Sequence, residues 1–273
     1  MDLSVNGPKV YYELPFDLPD INIFTMKNLV TQTTITLFAV TILLIIVSLI
    51  ATKTLSKRKP RGLQIVAEKL INMLYGLVED TMGKHNMKFA PYIGTLFLSS
   101  IFGTLLGMTQ VFRSATADLS VTAAWALVTT GMVWYNNIKN FGFKAWLKGF
   151  TEPIVVMTPM NIVSEIANPV SMAFRHFGNV AGGSVLTALI YSALAGLSSL
   201  LFGWLPGFIG TIPFFQVGIP AFLSIYFDLF SGFVQALVFS LLTMVYVGGA
   251  CPPFEELPED RQKKLSKKAK KAN

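Results

Sequence analysis

The stretch "MAFRHFGNVAGG", residues 172–183, places an arginine inside a long apolar run and decides how the rest of the sequence is interpreted. A charge at mid-membrane costs at least about 2.5 to 3.5 kcal/mol, so it normally faces a partner or an aqueous cavity. Arg175 is therefore predicted to be functional. The alternative is that it pairs within the chain, with Glu165 or Asp228, and only holds helices together.

The residues after the arginine are small. Asn179 lies one turn after Arg175 on the same helical face, and glycines surround it at Gly178, Gly182 and Gly183. Such residues let another backbone come close, which an arginine that only neutralised an internal acid would not need. Ordinary close packing between membrane helices is the alternative explanation.

The composition indicates an integral membrane protein. The chain has 273 residues, of which 52% are hydrophobic and 14% charged, whereas soluble domains carry about 25% charged residues. The apolar residues form helix-length runs, which favours an all-α polytopic membrane protein over an outer-membrane barrel. One cysteine and two histidines exclude an internal disulfide and a multi-cysteine or His-rich metal centre. No metal and no cofactor are expected.

Five membrane crossings are predicted, together with one interfacial helix. The crossings are residues 29–51, 90–111, 119–138, 152–202 and 213–249. A crossing needs about 20 residues, so the last two are expected to be strongly tilted, or broken near Pro159 or Pro169. Asp118 can cap the third crossing. The segment 62–84 alternates apolar and polar residues with helical spacing, which predicts an amphipathic helix on the cytoplasmic interface.

The basic residues predict the orientation. The net charge is +7, and 12 of the 22 lysines and arginines lie in residues 53–61, after the first crossing, and in a tail from Arg261 to Lys271. The positive-inside rule places both in the cytoplasm and the N-terminus outside, without any need for nucleic acid. The tail is expected to be solvated, or to contact anionic lipid. The start has neither the basic region of a cleaved signal nor an Arg-rich transit segment, which favours a bacterial plasma membrane.

These features divide the chain into five regions. We predict an external segment (residues 1–28), a first membrane helix (29–51), a basic loop with the amphipathic helix (52–88), a set of ion-channel helices (89–250), and a basic cytoplasmic tail (251–273).

The last crossing carries a polar stripe. Asp228 and Gln235 are seven residues apart, with Ser231 and Gly232 between them. This polar stripe can line a water path, or Gln235 can simply bond another helix.

Four motifs carry a family resemblance. "MAFRHFGNVAGG" resembles the arginine motif of subunit a of the F-type rotary ATP synthase, usually R-L-F-G-N, and "FDLFSGFVQALVFSLLTMVYVGGA" resembles that family's last helix. "ATADLSVTAAWAL" and "TEPIVVMTPMNIVSEIANPVS" are similar to two further segments, in the right order and spacing. The resemblance covers about residues 88 to 250 and is most specific where R-x-F-G-N is combined with Q-A-x-V-F.

The resemblance implies a stator and ion channel. Subunit a packs against a rotating ring of c subunits, each with a membrane-buried carboxylate, and two aqueous half-channels carry H⁺ or Na⁺ to and from that carboxylate. Arg175 matches the essential arginine, which attracts the carboxylate, favours its ionised form and cannot relay a proton. Asn179 matches an asparagine one turn after the arginine and is expected to orient water or the guanidinium, and Gln235 matches a glutamine that faces the arginine. Asp228 matches a protonatable position of the outer half-channel. Glu165 falls where relatives carry acids before the arginine, so it can serve the inner channel mouth or only cap a bend.

Two positions depart from the family pattern. His176 replaces the usual leucine after the arginine, and Ser184 stands where many relatives have a half-channel glutamate. His176 can titrate near neutral pH, or it can be a hydrogen-bonded packing residue. The outer proton path is therefore expected to depend on Asp228, alone or with His176.

The expected role is that of a non-catalytic subunit. The sequence contains no P-loop. The implied partners are the c-subunit ring, against which the ion-channel helices of residues 89–250 are expected to pack, the peripheral-stalk subunit b, the remaining ATP synthase subunits and membrane lipid. Two rivals remain: a stand-alone secondary transporter that uses Arg175 to bind an anionic substrate, and a structural membrane scaffold.

Overall fold

The computed structural model describes residues 10–13, 28–52, 62–109, 112–152, 154–202, 226–259 and 261–263. These residues are almost entirely helical, which confirms the all-α prediction. The exception is a small antiparallel sheet of β1 (Val10–Glu13) and β2 (Asn28–Thr31). Because β2 occupies the residues where the first crossing was expected to begin, the first helix starts only at Gln32.

Seven α-helices follow in the described residues. They are α1 Gln32–Thr52, α2 Leu63–Met82, α3 Ala90–Met108, α4 Leu119–Asn140, α5 Phe143–Gly149, α6 Thr158–Phe202 and α7 Gly232–Gly249. Short 3₁₀ turns lie at Lys84–Phe89, Ala115–Ala117, Val155–Met157 and Phe254–Glu256, and a π-helical turn, Tyr226–Ser231, precedes α7. The predicted amphipathic segment is thus a helix, α2.

Within the described residues, four segments are long and apolar enough to cross a membrane. They are Gln32–Thr52, Lys84–Met108, Val155–Leu201 and Leu229–Gly249. The remaining predicted crossing, α4, has sufficient length at 22 residues but is less apolar. Its polar residues Thr122, Thr129 and Asn136 are buried. The crossing by α4 therefore stays a prediction. The predicted orientation requires it, since only an odd number of crossings places the two ends of the chain on opposite sides of the membrane.

The longest helix, α6, runs through a proline. Its 45 residues correspond to about 68 Å at 1.5 Å per residue, whereas the hydrocarbon core is about 30 Å thick. Pro169 lies inside the helix without ending it, so the predicted break at Pro169 is absent. Pro159 falls in the first turn, where a missing N–H costs no hydrogen bond. Of the two expectations for this stretch, a steep tilt is the one compatible with an unbroken helix.

The chain forms two compact units, each made of three segments. Unit 1 contains Met1–Ile46, Leu98–Val121 and Arg175–Ala236, and unit 2 contains Val47–Phe97, Thr122–Phe174 and Leu237–Asn273. Five helices, α1, α3, α4, α6 and α7, contribute residues to both units. The predicted division of the chain into five consecutive regions stays a prediction.

In unit 1, polar side chains connect α1 to the start of α4. Asp118 accepts a hydrogen bond from the backbone N–H of Ser120 at 2.9 Å, which confirms the predicted helix cap. Its other carboxylate oxygen accepts from the Thr33 hydroxyl at 2.8 Å. Thr36 donates to the Arg113 carbonyl at 2.9 Å. Both threonines are buried, whereas Phe38 on the same helix is 66% exposed. Buried polar and exposed apolar side chains on one helix are typical of a membrane protein.

The core of unit 2 joins three helices. It consists of buried side chains from α2, α3 and α7: Val78, Met82, Ala90, Ile93, Met244 and Val247. Outside this contact α2 exposes large apolar side chains, among them Val66, Leu70 and Met73. This distribution agrees with a helix that lies against lipid.

Side-chain amides hold the end of α7 in unit 2. The last carbonyls of a helix lack partners within it. Asn86 donates to the carbonyls of Met82 and Cys251, both at 2.9 Å. The Asn140 amide donates to the Ala250 carbonyl at 2.9 Å. The end of α7 is therefore tied to the Lys84–Phe89 turn and to α4.

The first part of the predicted tail is not a free extension. Leu257 is buried, and the Arg261 side chain donates to the Phe141 carbonyl at 3.3 Å. Lys263 pairs with Glu259 at 3.6 Å, both largely exposed. This contact could not be predicted from the sequence, because Arg261 is the first residue of a lysine-rich stretch that as a whole predicts a solvated tail. The rest of the tail, residues 264–273, and the basic cluster 53–61 lie outside the described residues.

Replacing Asn86 with alanine is expected to destabilise the subunit by about 1–3 kcal/mol, because the buried Met82 carbonyl would lose its side-chain donor and the Cys251 carbonyl would keep only its contact with His85. Asn72, which is exposed on α2, provides a matched control, and Asn72→Ala is expected to change stability by less than about 0.5 kcal/mol. Detergent-induced unfolding of the assembled complex measures both variants. Equal effects of the two substitutions would contradict the role assigned to Asn86.

Candidate functional site

The Arg175 side chain is exposed on α6, in unit 1. Among the described residues it has neither an ion pair nor a hydrogen bond, and the ion pairs found there join other residues. Neither of the two acids proposed as internal partners has a described contact with Arg175. Glu165 bonds elsewhere, and the Asp228 side chain lies outside the described residues. The guanidinium is thus exposed and has no counter-charge among the residues that the structure describes.

The helix face that carries Arg175 is smooth. Gly178 and Gly182 are exposed, and a Cβ atom placed on either would meet no other atom within 4 Å. Leu186 and Leu189 continue the exposed face one and two turns further on, at 43% and 48% exposure. Gly183 is half-buried, and the Ser184 side chain lies outside the described residues. No described part of the chain covers the glycines, so their use in internal packing is not supported.

Asn179 and Ser231 form a reciprocal pair in unit 1. The Asn179 amide nitrogen donates to the Ser231 carbonyl at 3.2 Å. The Ser231 hydroxyl donates to the Asn179 amide oxygen at 2.6 Å. This contact joins α6 to the π-helical turn that carries Asp228. Because a π turn contains more residues than an α turn, the spacing of seven between Asp228 and Gln235 is not two regular α-helical turns.

Gln235 is the buried polar residue nearest the start of α7. Its side chain is 6% exposed, and its amide nitrogen has no hydrogen-bond partner among the described residues. A buried amide without a partner costs about 1–3 kcal/mol. Such a cost is typical of a functional position, and it does not support the alternative that Gln235 simply bonds a neighbouring helix.

The start of α7 packs closely on α3 in unit 1. Gly232 is buried, and a Cβ atom there would lie 2.6 Å from the Thr104 methyl carbon. The Thr104 hydroxyl donates to the Ser100 carbonyl at 3.0 Å, which holds the methyl group in place. Glycine at 232 is therefore required for this helix contact.

His176 lies away from the arginine face. It is 1% exposed, and its Nε2 atom is 3.0 Å from the Ser100 hydroxyl of α3. Ser100 thus joins His176 to the same helix that packs on Gly232. This geometry supports the packing alternative for His176. The sequence contained no signal for the Ser100 contact, because 76 residues separate the partners.

Glu165 lies at a polar cavity in unit 2. The Trp134 indole N–H donates to its carboxylate. The cavity has a volume of about 650 Å³ and is formed by α4, α5 and the start of α6, with lining residues that include Asn137, Trp146, Lys148, Asn161, Ser164 and Glu165. A cavity with so many polar side chains is suited to water and ions. The sequence singled out Glu165 but missed Trp134, which only the fold brings to it.

The described residues contain no cluster of three or more His, Cys, Asp or Glu side chains able to hold a metal. In unit 1 the candidate residues with described side chains include the exposed guanidinium of Arg175 and the amides of Asn179 and Gln235, whereas Glu165 belongs to unit 2.

The fold and the site define an α-helical membrane protein with several crossings and a fixed positive charge on one of them. The model of the ATP synthase A chain family matches residues 33–248. The chain therefore belongs to the ATP synthase A chain family, and it is a membrane-sector subunit of an ATP synthase.

Individual relatives agree over most of their length. "ATP synthase subunit a, sodium ion specific" of Propionigenium modestum is 32% identical over 279 residues, covering 93% of this chain and 89% of that protein. Subunit a of Priestia megaterium is 33% identical, with 82% of this chain and 91% of the relative covered. Subunit a of Moorella thermoacetica is 30% identical, with 79% and 88% covered.

The substitution Gly232→Ala is expected to destabilise the contact between α7 and α3 by about 1–3 kcal/mol, because the new methyl group overlaps the Thr104 methyl group. Adding Thr104→Ser removes that methyl group, keeps the hydroxyl and should restore stability. In Gly248→Ala the new atom would lie 3.4 Å from the nearest atom, a side-chain carbon of Met82, so this control should be tolerated. Detergent unfolding of the assembled complex measures all three. Failure of Thr104→Ser to rescue would contradict the assigned clash.

Proposed function

We propose that the chain is the stator and ion-channel subunit of an F-type ATP synthase, in which Arg175 couples ion movement through two aqueous half-channels to rotation of the c ring. The observation that carries this proposal is the exposed guanidinium of Arg175. It has no partner among the described residues, and it lies on a face smoothed by Gly178 and Gly182. A permanent charge in an apolar helix needs a counter-charge, and a ring carboxylate supplies one.

The chemistry of the coupling follows from the guanidinium. A nearby positive charge lowers the pKa of a carboxylic acid, so each ring carboxylate gives up its ion as it reaches Arg175. Arginine stays charged in proteins and cannot itself pass a proton on. It therefore separates the two half-channels, and ions have to travel around with the ring. The amide oxygen of Gln235 can accept a hydrogen bond from the Arg175 guanidinium without adding a negative charge that would compete with the ring carboxylate.

We assign the acids to opposite half-channels. Glu165, at its polar cavity, serves the inner mouth. Asp228 serves the outer half-channel, where Ser184 leaves the usual glutamate position without an acid. The contact of His176 with Ser100 favours a supporting role for this histidine, so Asp228 carries the outer path in our proposal.

The proposal includes partners and orientation. The chain is expected to contact the c ring through the Arg175 face and the peripheral-stalk subunit b through its cytoplasmic parts, within a bacterial plasma membrane. Its N-terminus lies outside and its C-terminus in the cytoplasm, as the basic residues at 53–61 and 261–271 indicate. The ion is H⁺ or Na⁺. One relative is named sodium ion specific, so experiments should follow both ions.

The substitution Arg175→Ala is expected to abolish ATP-driven ion uptake into membrane vesicles, because the ring carboxylate loses its counter-charge. Arg175→Lys should also fail, since lysine can lose its proton when desolvated. Ile166→Ala, at an exposed apolar position of α6, is the control and should leave uptake unchanged. Subunit content of the vesicles is measured in parallel. Normal uptake by assembled Arg175→Ala complexes would refute the proposal and support a scaffold. Transport of an anion by the purified subunit alone would favour a secondary transporter.

The inner mouth is tested by thiol accessibility. In a Cys251→Ser background, Ser164→Cys is expected to react with a membrane-impermeant thiol reagent added from the cytoplasmic side, because Ser164 lines the polar cavity. Val163→Cys, on the neighbouring apolar position at 64% exposure, should face lipid and react slowly. Equal reaction rates at both positions, measured by mass change of the subunit, would contradict an aqueous inner mouth at Glu165.

A further inference from the structure

The hydrogen-bonded pair of Asn179 and Ser231 has not yet been given a role in ion translocation. The resemblance gives Asn179 a place beside the arginine but assigns nothing to Ser231. In the structure the oxygen and one N–H of the Asn179 amide are engaged by Ser231, at 2.6 and 3.2 Å. Both partners are half-buried. Two hydrogen bonds in opposite directions fix the relative position of two helices along their axes, since sliding by one residue breaks both.

The spacing around the pair connects it to the arginine. Arg175 lies four residues before Asn179, and Gln235 lies four residues after Ser231. Residues four apart stand one above the other on a helix. Consecutive crossings of a membrane run in opposite directions, so one turn back along α6 and one turn forward along α7 lead to the same level. The contact between Asn179 and Ser231 therefore places Gln235 at the level of Arg175.

We propose that Ser231 is a positioning residue for ion translocation, and that its reciprocal pair with Asn179 sets the register of α6 against α7 so that the Gln235 amide stands level with the Arg175 guanidinium. This inference rests on the proposed function of Arg175. It assigns to Asn179 the alignment of helices, in place of the orientation of water. It also gives a reason for the position of the π turn, which ends at Ser231.

The position of the π turn separates two parts of the last crossing. The turn places extra residues before Ser231, so the residues upstream, including Asp228, are rotated relative to a regular α-helix. The residues downstream belong to regular α7, and the pair holds them in one register with α6. The position of Gln235 along the axis of α6 is therefore set by the pair and by regular α7, and not by the geometry of the π turn before Ser231. Glycine at 232 allows α3 to approach directly beside the pair.

The test compares single and double substitutions in assembled complexes. Ser231→Ala and Asn179→Ala are each expected to reduce ATP-driven ion uptake per assembled complex at least about threefold, the effect of one lost hydrogen bond. Because both variants remove the same pair, the double variant should be no worse than either single one. Ser231→Thr keeps the hydroxyl and should restore uptake. Additive losses, or no rescue by Ser231→Thr, would overturn the proposal.

Ser240 provides the matched control for Ser231. It is another serine of the last crossing, 3% exposed, and its hydroxyl has no hydrogen-bond partner among the described residues. Ser240→Ala should therefore leave uptake unchanged. If Ser231→Ala behaves like Ser240→Ala while Arg175→Ala abolishes uptake, the positioning role is refuted and the proposed function stands. If Arg175→Ala complexes pump normally, the proposed function itself fails.

A cross-linking measurement does not depend on activity. In the Cys251→Ser background, Asn179→Cys combined with Ser231→Cys is expected to form a disulfide under mild oxidation of the assembled complex. Asn179→Cys combined with Ser240→Cys, nine residues further along the chain, should not. Failure of the first pair to cross-link, or equal cross-linking of both pairs, would overturn the register even if the alanine variants assemble poorly.

Discussion

A single positive charge on an apolar helix is the constraint on which the rest of this structure depends. Arginine cannot escape the cost of desolvation by losing its proton, and no described residue of the chain neutralises Arg175. The surrounding structure is consistent with a charge that is satisfied from outside. Glycines keep its face open, and the two acids assigned to the ion path have no described contact with it.

Within each unit, hydrogen bonds between polar side chains hold the helices in place. Lipid offers apolar side chains an environment as favourable as the protein interior, so helices in membranes rely on close packing and on hydrogen bonds. Three buried or half-buried pairs illustrate this: Thr33 with Asp118, Ser100 with His176, and Asn179 with Ser231. Gly232 supplies the close approach of α7 to α3. The functional helices are thus positioned by the same small and polar residues that a soluble core would exclude.

Much of the fold could be predicted from local patterns. The apolar runs located α1, α3 and α4 with boundaries within three residues of those found, because a run of that length can satisfy its backbone in lipid only as a helix. Asp118 was recognisable as a cap from its position alone. The continuity of α6 through Pro169 was not predictable, since whether a proline breaks a membrane helix depends on its neighbours in space.

The sequence by itself determined the class of protein, the family and the residue that carries the positive charge, because composition, run length and the R-x-F-G-N and Q-A-x-V-F motifs are properties of neighbours along the chain. Only the tertiary structure decided which residues meet. Ser231 beside Asn179, Ser100 beside His176 and Trp134 beside Glu165 are 52, 76 and 31 residues apart. Such contacts depend on the register and rotation of packed helices, which no local pattern specifies.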